Sequence, residues 1–161
     1  MATQSFRRIL ELLDRYGVEY VVVGGVAAVL QGAPVTTFDI DALVKFDQAN
    51  IDRLEKVLAA LNARYREHRN LRPTRRDLDA AGHYLLITDS GPFDVLGFIG
   101  GGKRYDDVAA SALSMSVGDL SIKVLPLEAL IEEKKTLGRE KDLAVVGLLE
   151  SVLRRSRSQR C

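Results

Sequence analysis

Three aspartates stand where a globular chain rarely places charge. Asp39 and Asp41 are one residue apart inside the apolar run VTTFDIDALV, and Asp94 lies between Phe93 and Val95 in GPFDVLGFI. A carboxylate taken out of water without a partner costs several kcal/mol or keeps its proton. Residues i and i+2 of a strand project to the same face, so Asp39 and Asp41 point together while Ile40 turns to the core. Two carboxylates that close repel unless a cation sits between them. Oxygen ligands of this kind suit a hard divalent ion such as Mg²⁺, which also keeps water and substrate phosphates bound. If the strand of Asp94 neighbours that of Asp39 and Asp41, three acids converge. Such a cluster can hold two ions about 4 Å apart for in-line phosphoryl displacement. A surface edge strand with solvated acids is the competing reading, strained by the apolar residues on either side.

Just upstream, VVVGGVAAVLQG joins a strand to a short helix through Gly24-Gly25. Without Cβ atoms a phosphate can approach such a backbone, and outward N–H groups at a helix start favour anions. A tight structural turn is the plain alternative. Other chemistries fail on spacing. GGVAAVLQG lacks the G-x-x-x-x-G-K-[ST] arrangement and the third glycine of a dinucleotide fingerprint. GFIGGGKRYDD has a phosphate loop's composition, but no serine or threonine follows Lys103. His68 and His83 have no cysteine nearby for a zinc site, and no serine sits in a nucleophile elbow.

These residues need elements to hold them. Residues 4–16 carry Phe6, Ile9, Leu10, Leu13 and Tyr16 at helical spacing. VEYVVV (18–23) reads as a central strand, FDIDALVKF (38–46) as a second, and 51–62 as an amphipathic helix capped by Asn50. HYLLIT and FDVLGFI are strands joined by DSGP turn chemistry. SMSV and LSIKVL form a ribbon around Gly118-Asp119. PLEALIEEKKTL, with Pro126 at its first position, and REKDLAVVGLLESVLRR are closing helices. The order implies one α+β (mixed α/β) domain over residues 1–161, with a single layer of sheet.

With 47% apolar and 28% charged residues, the composition is globular rather than disordered. The longest apolar runs are too short for a membrane span. No signal-peptide pattern opens the chain, so a cytoplasmic protein without a membrane partner is expected. The lone cysteine, Cys161, is expected to be an exposed terminal thiol with no catalytic part. The net charge of +1 hides two basic patches: six arginines against one glutamate in 64–76, and four arginines in RRSRSQR. The first belongs to a basic, irregular segment at 64–80. The second is expected to be a disordered tail at 155–161. Either can meet phosphate or RNA, although only Tyr65 is available there as a stacking platform.

VVVGGVAAVLQG, TTFDIDALV and GPFDVLGF together resemble the nucleotidyltransferase superfamily typified by DNA polymerase beta. They are most similar to its small stand-alone branch, allied to abortive-infection type II toxins and minimal nucleotidyltransferases. The resemblance implies a mixed sheet with helices packed on one side, two Mg²⁺ ions, and transfer of a nucleoside monophosphate from an NTP to a hydroxyl acceptor with release of pyrophosphate. The acceptor could be a protein, a tRNA or a small molecule. The same resemblance makes Asp39, Asp41 and Asp94 the metal ligands and catalytic acids. It assigns Gly24, Gly25 and Thr37 to the nucleotide. IEEKKTLGREKDLAVVGLL resembles the lysine-then-arginine–lysine–aspartate signature of the toxin-like branch, which adds Lys134, Arg139, Lys141 and Asp142. In one place the chain departs: Val35 stands where relatives often carry an arginine. That motivates an alternative, a catalytically weak or inactive protein of this fold acting through a cognate toxin or antitoxin.

Overall fold

The computed structural model describes residues 2–37 and 39–159. Phe38, which the sequence puts at the start of the second strand, and Cys161 lie outside the described residues. The sheet has seven strands: β1 (Tyr20–Val23), β2 (Ile40–Val44), β3 (Arg64–Tyr65), β4 (His83–Thr88), β5 (Gly91–Leu96), β6 (Leu113–Val117) and β7 (Leu120–Val124). Their spatial order is β3-β4-β5-β2-β1-β7-β6. Pairing is antiparallel except between β2 and β5 and between β1 and β7, so the sheet is mixed.

Helices α1 (Ala2–Arg15) and α3 (Gln48–Ala60) pack on each other, α1 meets β5 and β7, and buried residues of both helices join the core under the sheet. The strand residues facing them, Ile40, Ala42, Val44, Phe93 and Val95, are buried. The apolar stripe of Ile9, Leu10, Leu12 and Leu13 supplies the other half of the core, driven by removal of apolar surface from water. The opposite face carries the acids and is open at its β4 end, where Leu85 is exposed. At the mouth of that face α2 (Gly24–Leu30) meets α5 (Leu127–Leu137), and α5 pairs with α6 (Glu140–Gln159). The remaining helix, α4 (Tyr105–Val108), is a single turn. No described helix is long and apolar enough to cross a membrane.

Three expectations change. The cap of α3 is Asp47, whose side chain accepts from the Asn50 N–H. Asn50 is instead fully buried and bridges chain segments, accepting from Glu19 N and donating to the Glu19 and Lys45 carbonyls. An amide has both donors and an acceptor to satisfy, and burial here lets it satisfy them all. The arginine tail is helical as far as Gln159, with Arg157 3.6 Å from Glu128. Helix propagation past the packed residues adds one hydrogen bond for each residue fixed, and arginine is a good helix former. Pro126 caps α5 and does not occupy its first turn.

Candidate active site

The strand register brings two of the three acids face to face. Asp41 on β2 is the direct partner of Asp94 on β5, so both project from the open face. Asp39 precedes β2 by one residue and points the same way, toward Arg66. Asp41 and Asp94 stand side by side on neighbouring strands, and each carboxyl feels the other. Burial, then the charge of Asp94, pushes the Asp41 carboxyl up to about 8. Burial also raises Asp94, while the positive charge of Arg66 pulls it back. One oxygen of Asp41, Oδ1, is buried without a partner.

Arg66, immediately after β3, lies across this cluster. Its guanidinium donates to Asp94 and to the Leu86 carbonyl, and Nη1 stands 3.7 Å from Asp39. Among the described residues, no three acidic, histidine or cysteine side chains are gathered in an arrangement that could hold an ion. Two of the carboxylates that would do so, Asp39 and Asp94, are turned toward the arginine.

Gly24 and Gly25 open α2 directly beside the acids. A Cβ on Gly24 would lie 2.3 Å from Asp41 Oδ2, and Gly24 has φ +67°. A Cβ on Gly25 would lie 2.9 Å from Thr37 Cβ. Both positions require glycine for close approach, and Gly24 also for its left-handed backbone. The Thr37 hydroxyl donates to the Asp39 carbonyl at 3.2 Å, which ties the loop to the strand that carries the acids.

Two clefts flank the glycine turn. One, of about 180 Å³, is lined by Gly24, Gly25, Val35, Thr37 and Lys134 among others. The other, of about 500 Å³, is lined by Asp41, Asp94, His83, Glu133, Arg139 and the loop Gly100–Gly102. Helix α5 thus turns Lys134 to the first cleft and Glu133 to the second. Gln31 anchors α5 to α2 by donating to the Leu125 carbonyl and accepting from Leu127 N. Asp142, buried at the start of α6, holds Lys134 at 3.5 Å and Arg139 within hydrogen-bond reach. The Arg139 bond keeps the Asp142 carboxyl below the usual range.

Of the residues singled out in the sequence, Gly24, Gly25, Thr37, Asp39, Asp41, Asp94, Lys134 and Arg139 are brought to this region. Lys141 is not; it is exposed on α6 and lines neither cleft. A helix turns 100° per residue, so with Asp142 facing inward its neighbour Lys141 faces away. Three contributors were not visible from spacing: Arg66, Glu133 and the Gly100–Gly102 loop. Glu133 is held above the usual carboxylate range, chiefly by burial. Only the triple glycine, with Gly101 and Gly102 at positive φ, left a signal that could have found it.

The aminoglycoside-2''-adenylyltransferase family profile matches residues 5–130. The chain belongs to that family. It is therefore a nucleotidyltransferase-family enzyme, of the superfamily to which DNA polymerase beta belongs. A Thermotoga maritima protein provisionally described as a nucleotidyltransferase superposes with a TM-score of 0.59 at 21% identity, covering 92% of each chain. The antibiotic-resistance factor ANT(2'')-Ia, in a solution structure, gives 0.56 at 14% identity, covering 98% of this chain and 92% of its own. Its crystal structure with adenylyl-2''-tobramycin gives 0.56 at 15% identity, covering 99% and 98%. At these identities the likeness is one of fold. Comparison with curated proteins returns no match.

The family's chemistry implies a divalent cation; the donor types here suit one, although among the described residues the carboxylates are not gathered around an ion. Asp39, Asp41 and Asp94 supply oxygen donors alone, Asp41 Oδ1 has no partner, and the missing Cβ of Gly24 is what lets the backbone pass so close to Asp41 Oδ2. A cation arriving there must take oxygens that Arg66 now engages.

Proposed function

We propose that this chain transfers a nucleoside monophosphate from an NTP to a hydroxyl acceptor, with Asp39, Asp41 and Asp94 as the acids that hold Mg²⁺, two ions in the full set. The observation that carries the reading is the Asp41–Asp94 pairing beside Gly24, which sets two carboxyls side by side where, among the described residues, Arg66 is the cation bonded to one of them, Asp94. Mg²⁺, when bound, would neutralise phosphate charge and orient the reacting oxygens.

The chain's own residues divide the work by cleft. Gly24, Gly25, Thr37 and Lys134 line the side suited to the triphosphate, with Lys134 a point charge for it. Asp94 lies in the second cleft, where it would take the acceptor's proton as the acceptor oxygen bonds to the α-phosphorus. The bond to the bridging oxygen then breaks, and pyrophosphate leaves with its electron pair. Arg139 lines this second cleft and can meet phosphate oxygens that reach into it.

A small acceptor bearing amines as well as hydroxyls suits the second cleft best, because Asp41, Asp94 and Glu133 all face it. The family's name, which specifies aminoglycosides, agrees. RNA has less support than the sequence suggested: Arg66 is engaged by acids of the site, and Arg75 by Asp52, Glu55 and Asp79. The second reading, a weakly active or inactive protein of toxin–antitoxin type working through a protein partner, draws on Val35 lining the first cleft in place of a cation.

The deciding experiment incubates the purified protein with Mg²⁺ and each labelled NTP against an aminoglycoside panel, tRNA and cell protein. Nucleotidylated product lost in Asp41→Asn supports the enzyme. A folded protein that labels nothing and retains its biological effect as Asp41→Asn supports the partner-acting alternative.

A further inference from the structure

We propose that Arg66 is a built-in counter-ion of the acid cluster, a positioning residue that holds Asp94 and Asp39 in place of a divalent cation and yields them when the metal–nucleotide complex loads. The inference rests on the metal-dependent reading above.

The strand register puts Arg66 there. Its backbone N–H bonds to the Leu85 carbonyl at 3.0 Å, and Leu85 is the partner of Asp94, which is the partner of Asp41. Arg66, Leu85, Asp94 and Asp41 therefore form one row across four adjacent segments on the open face. Leu85 is exposed, so the guanidinium crosses an uncovered side chain to reach the acids. The attachment is incomplete: Nε is buried without a partner and the Asp39 contact is loose at 3.7 Å. The guanidinium is held chiefly by Asp94 and the Leu86 carbonyl.

A bare cation and the guanidinium cannot share the same carboxylate oxygens without repelling each other. Binding of metal alone is therefore opposed by Arg66. A metal carried by a triphosphate brings anionic oxygens that offer the displaced guanidinium a new partner, planar and suited to a two-pronged donor. Arg66 thus favours loading of the complex over loading of the ion.

The test titrates Mn²⁺ into nucleotide-free wild type, Arg66→Gln and Arg66→Lys, reading free Mn²⁺ by electron paramagnetic resonance, then repeats it with a non-hydrolysable NTP. Arg66→Gln is expected to bind Mn²⁺ alone roughly tenfold tighter, as removal of a competing charge-assisted bond implies. Arg66→Lys, which cannot span both acids, is expected to fall between the two proteins. The advantage that nucleotide confers on Mn²⁺ binding should shrink in the same order. Wild type that binds Mn²⁺ with Arg66→Gln equal to it or weaker overturns this proposal alone. Failure of all three proteins to bind Mn²⁺, with or without nucleotide, overturns the metal-dependent reading as well. If Arg66→Gln does not fold, Arg66→Lys carries the comparison. If neither folds even with Mn²⁺ present, Arg66 is a strut of the sheet edge and the proposal fails.

Discussion

Asp41 and Asp94 are direct partners on neighbouring parallel strands, so two carboxylates separated by more than fifty residues of chain meet side by side. Asp41 Oδ1 has no hydrogen bond at all. Replacing either with asparagine keeps the shape and removes the charge that a metal–triphosphate needs. Each substitution is expected to lower kcat/KM for nucleotidyl transfer at least about a thousandfold, a barrier increase of roughly 4 kcal/mol. Labelled-NTP turnover beside a circular dichroism spectrum of the folded variant checks it.

The same pair makes stability depend on pH in the absence of metal. Asp41 titrates near 3.8 when unfolded and is raised to about 8 in the fold, chiefly by burial. The folded state therefore keeps a proton that the unfolded chain has released, and stability falls as pH rises through this interval. The slope is at most about 1.4 kcal/mol per pH unit. Urea denaturation in chelator should give a protein more stable at pH 5.5 than at pH 8.5. Asp41→Asn should flatten the profile and exceed wild type at the upper end. A profile that rises with pH would show that the acids are held by cations throughout.

Gly24 is expected to tolerate no side chain. Alanine there puts a methyl 2.3 Å from Asp41 Oδ2 at a backbone φ of +67°, combining steric displacement with left-handed strain. The cost should be about 2–4 kcal/mol, with turnover falling further because the displaced group is Asp41. Gly147→Ala is the matched control: it lies within α6 with open space around the added carbon, and should gain up to about 1 kcal/mol. Thermal melts of the two variants separate the effects.

The acids and the glycine turn were legible because each rests on a local rule: two residues per repeat in a strand, and a glycine where the chain turns sharply beside another group. Arg66 was not. It sits among six arginines with no periodicity, and only the β3–β4–β5 register selects one of them for the site. Glu133 was hidden for a different reason. In EEKK every position is a plausible solvated helix residue, and which one faces a cleft depends on how α5 is set against α2 by Gln31. Spacing points to Asn50 as the cap because it precedes an apolar helical run, whereas Asp47 three residues earlier fits the same pattern and takes the role. Sequence spacing cannot choose between two good caps; burial does.

That burial gives Asn50 a measurable role away from the chemistry. Asn50 is itself fully buried, and its three part-buried bonds reach the backbone of Glu19 and Lys45 beside β1 and β2. Asn50→Ala should lose about 1–3 kcal/mol, since it leaves part-buried backbone groups without their partner as well as losing bonds. Turnover per folded molecule should be unchanged at a temperature where the variant is folded. Denaturant melts with activity normalised to folded fraction test both halves.

Val35 offers the converse experiment, a gain. It lines the cleft with Gly24, Gly25, Thr37 and Lys134, the side proposed for the triphosphate, where Lys134 supplies a positive charge that Asp142 partly neutralises at 3.5 Å. An arginine there adds a forked donor at a half-exposed position, so little of its charge needs to be desolvated. A charge-assisted contact to phosphate is worth roughly 1.5–3 kcal/mol, and part of that is spent on ordering the new side chain. Val35→Arg should therefore lower KM for NTP about tenfold and leave kcat within about threefold, because the contact is made equally in ground and transition states. Steady-state kinetics in NTP at saturating Mg²⁺ gives both constants. An unchanged KM would place the triphosphate away from this cleft and move the nucleotide to the side of Arg139 and the Gly100–Gly102 loop.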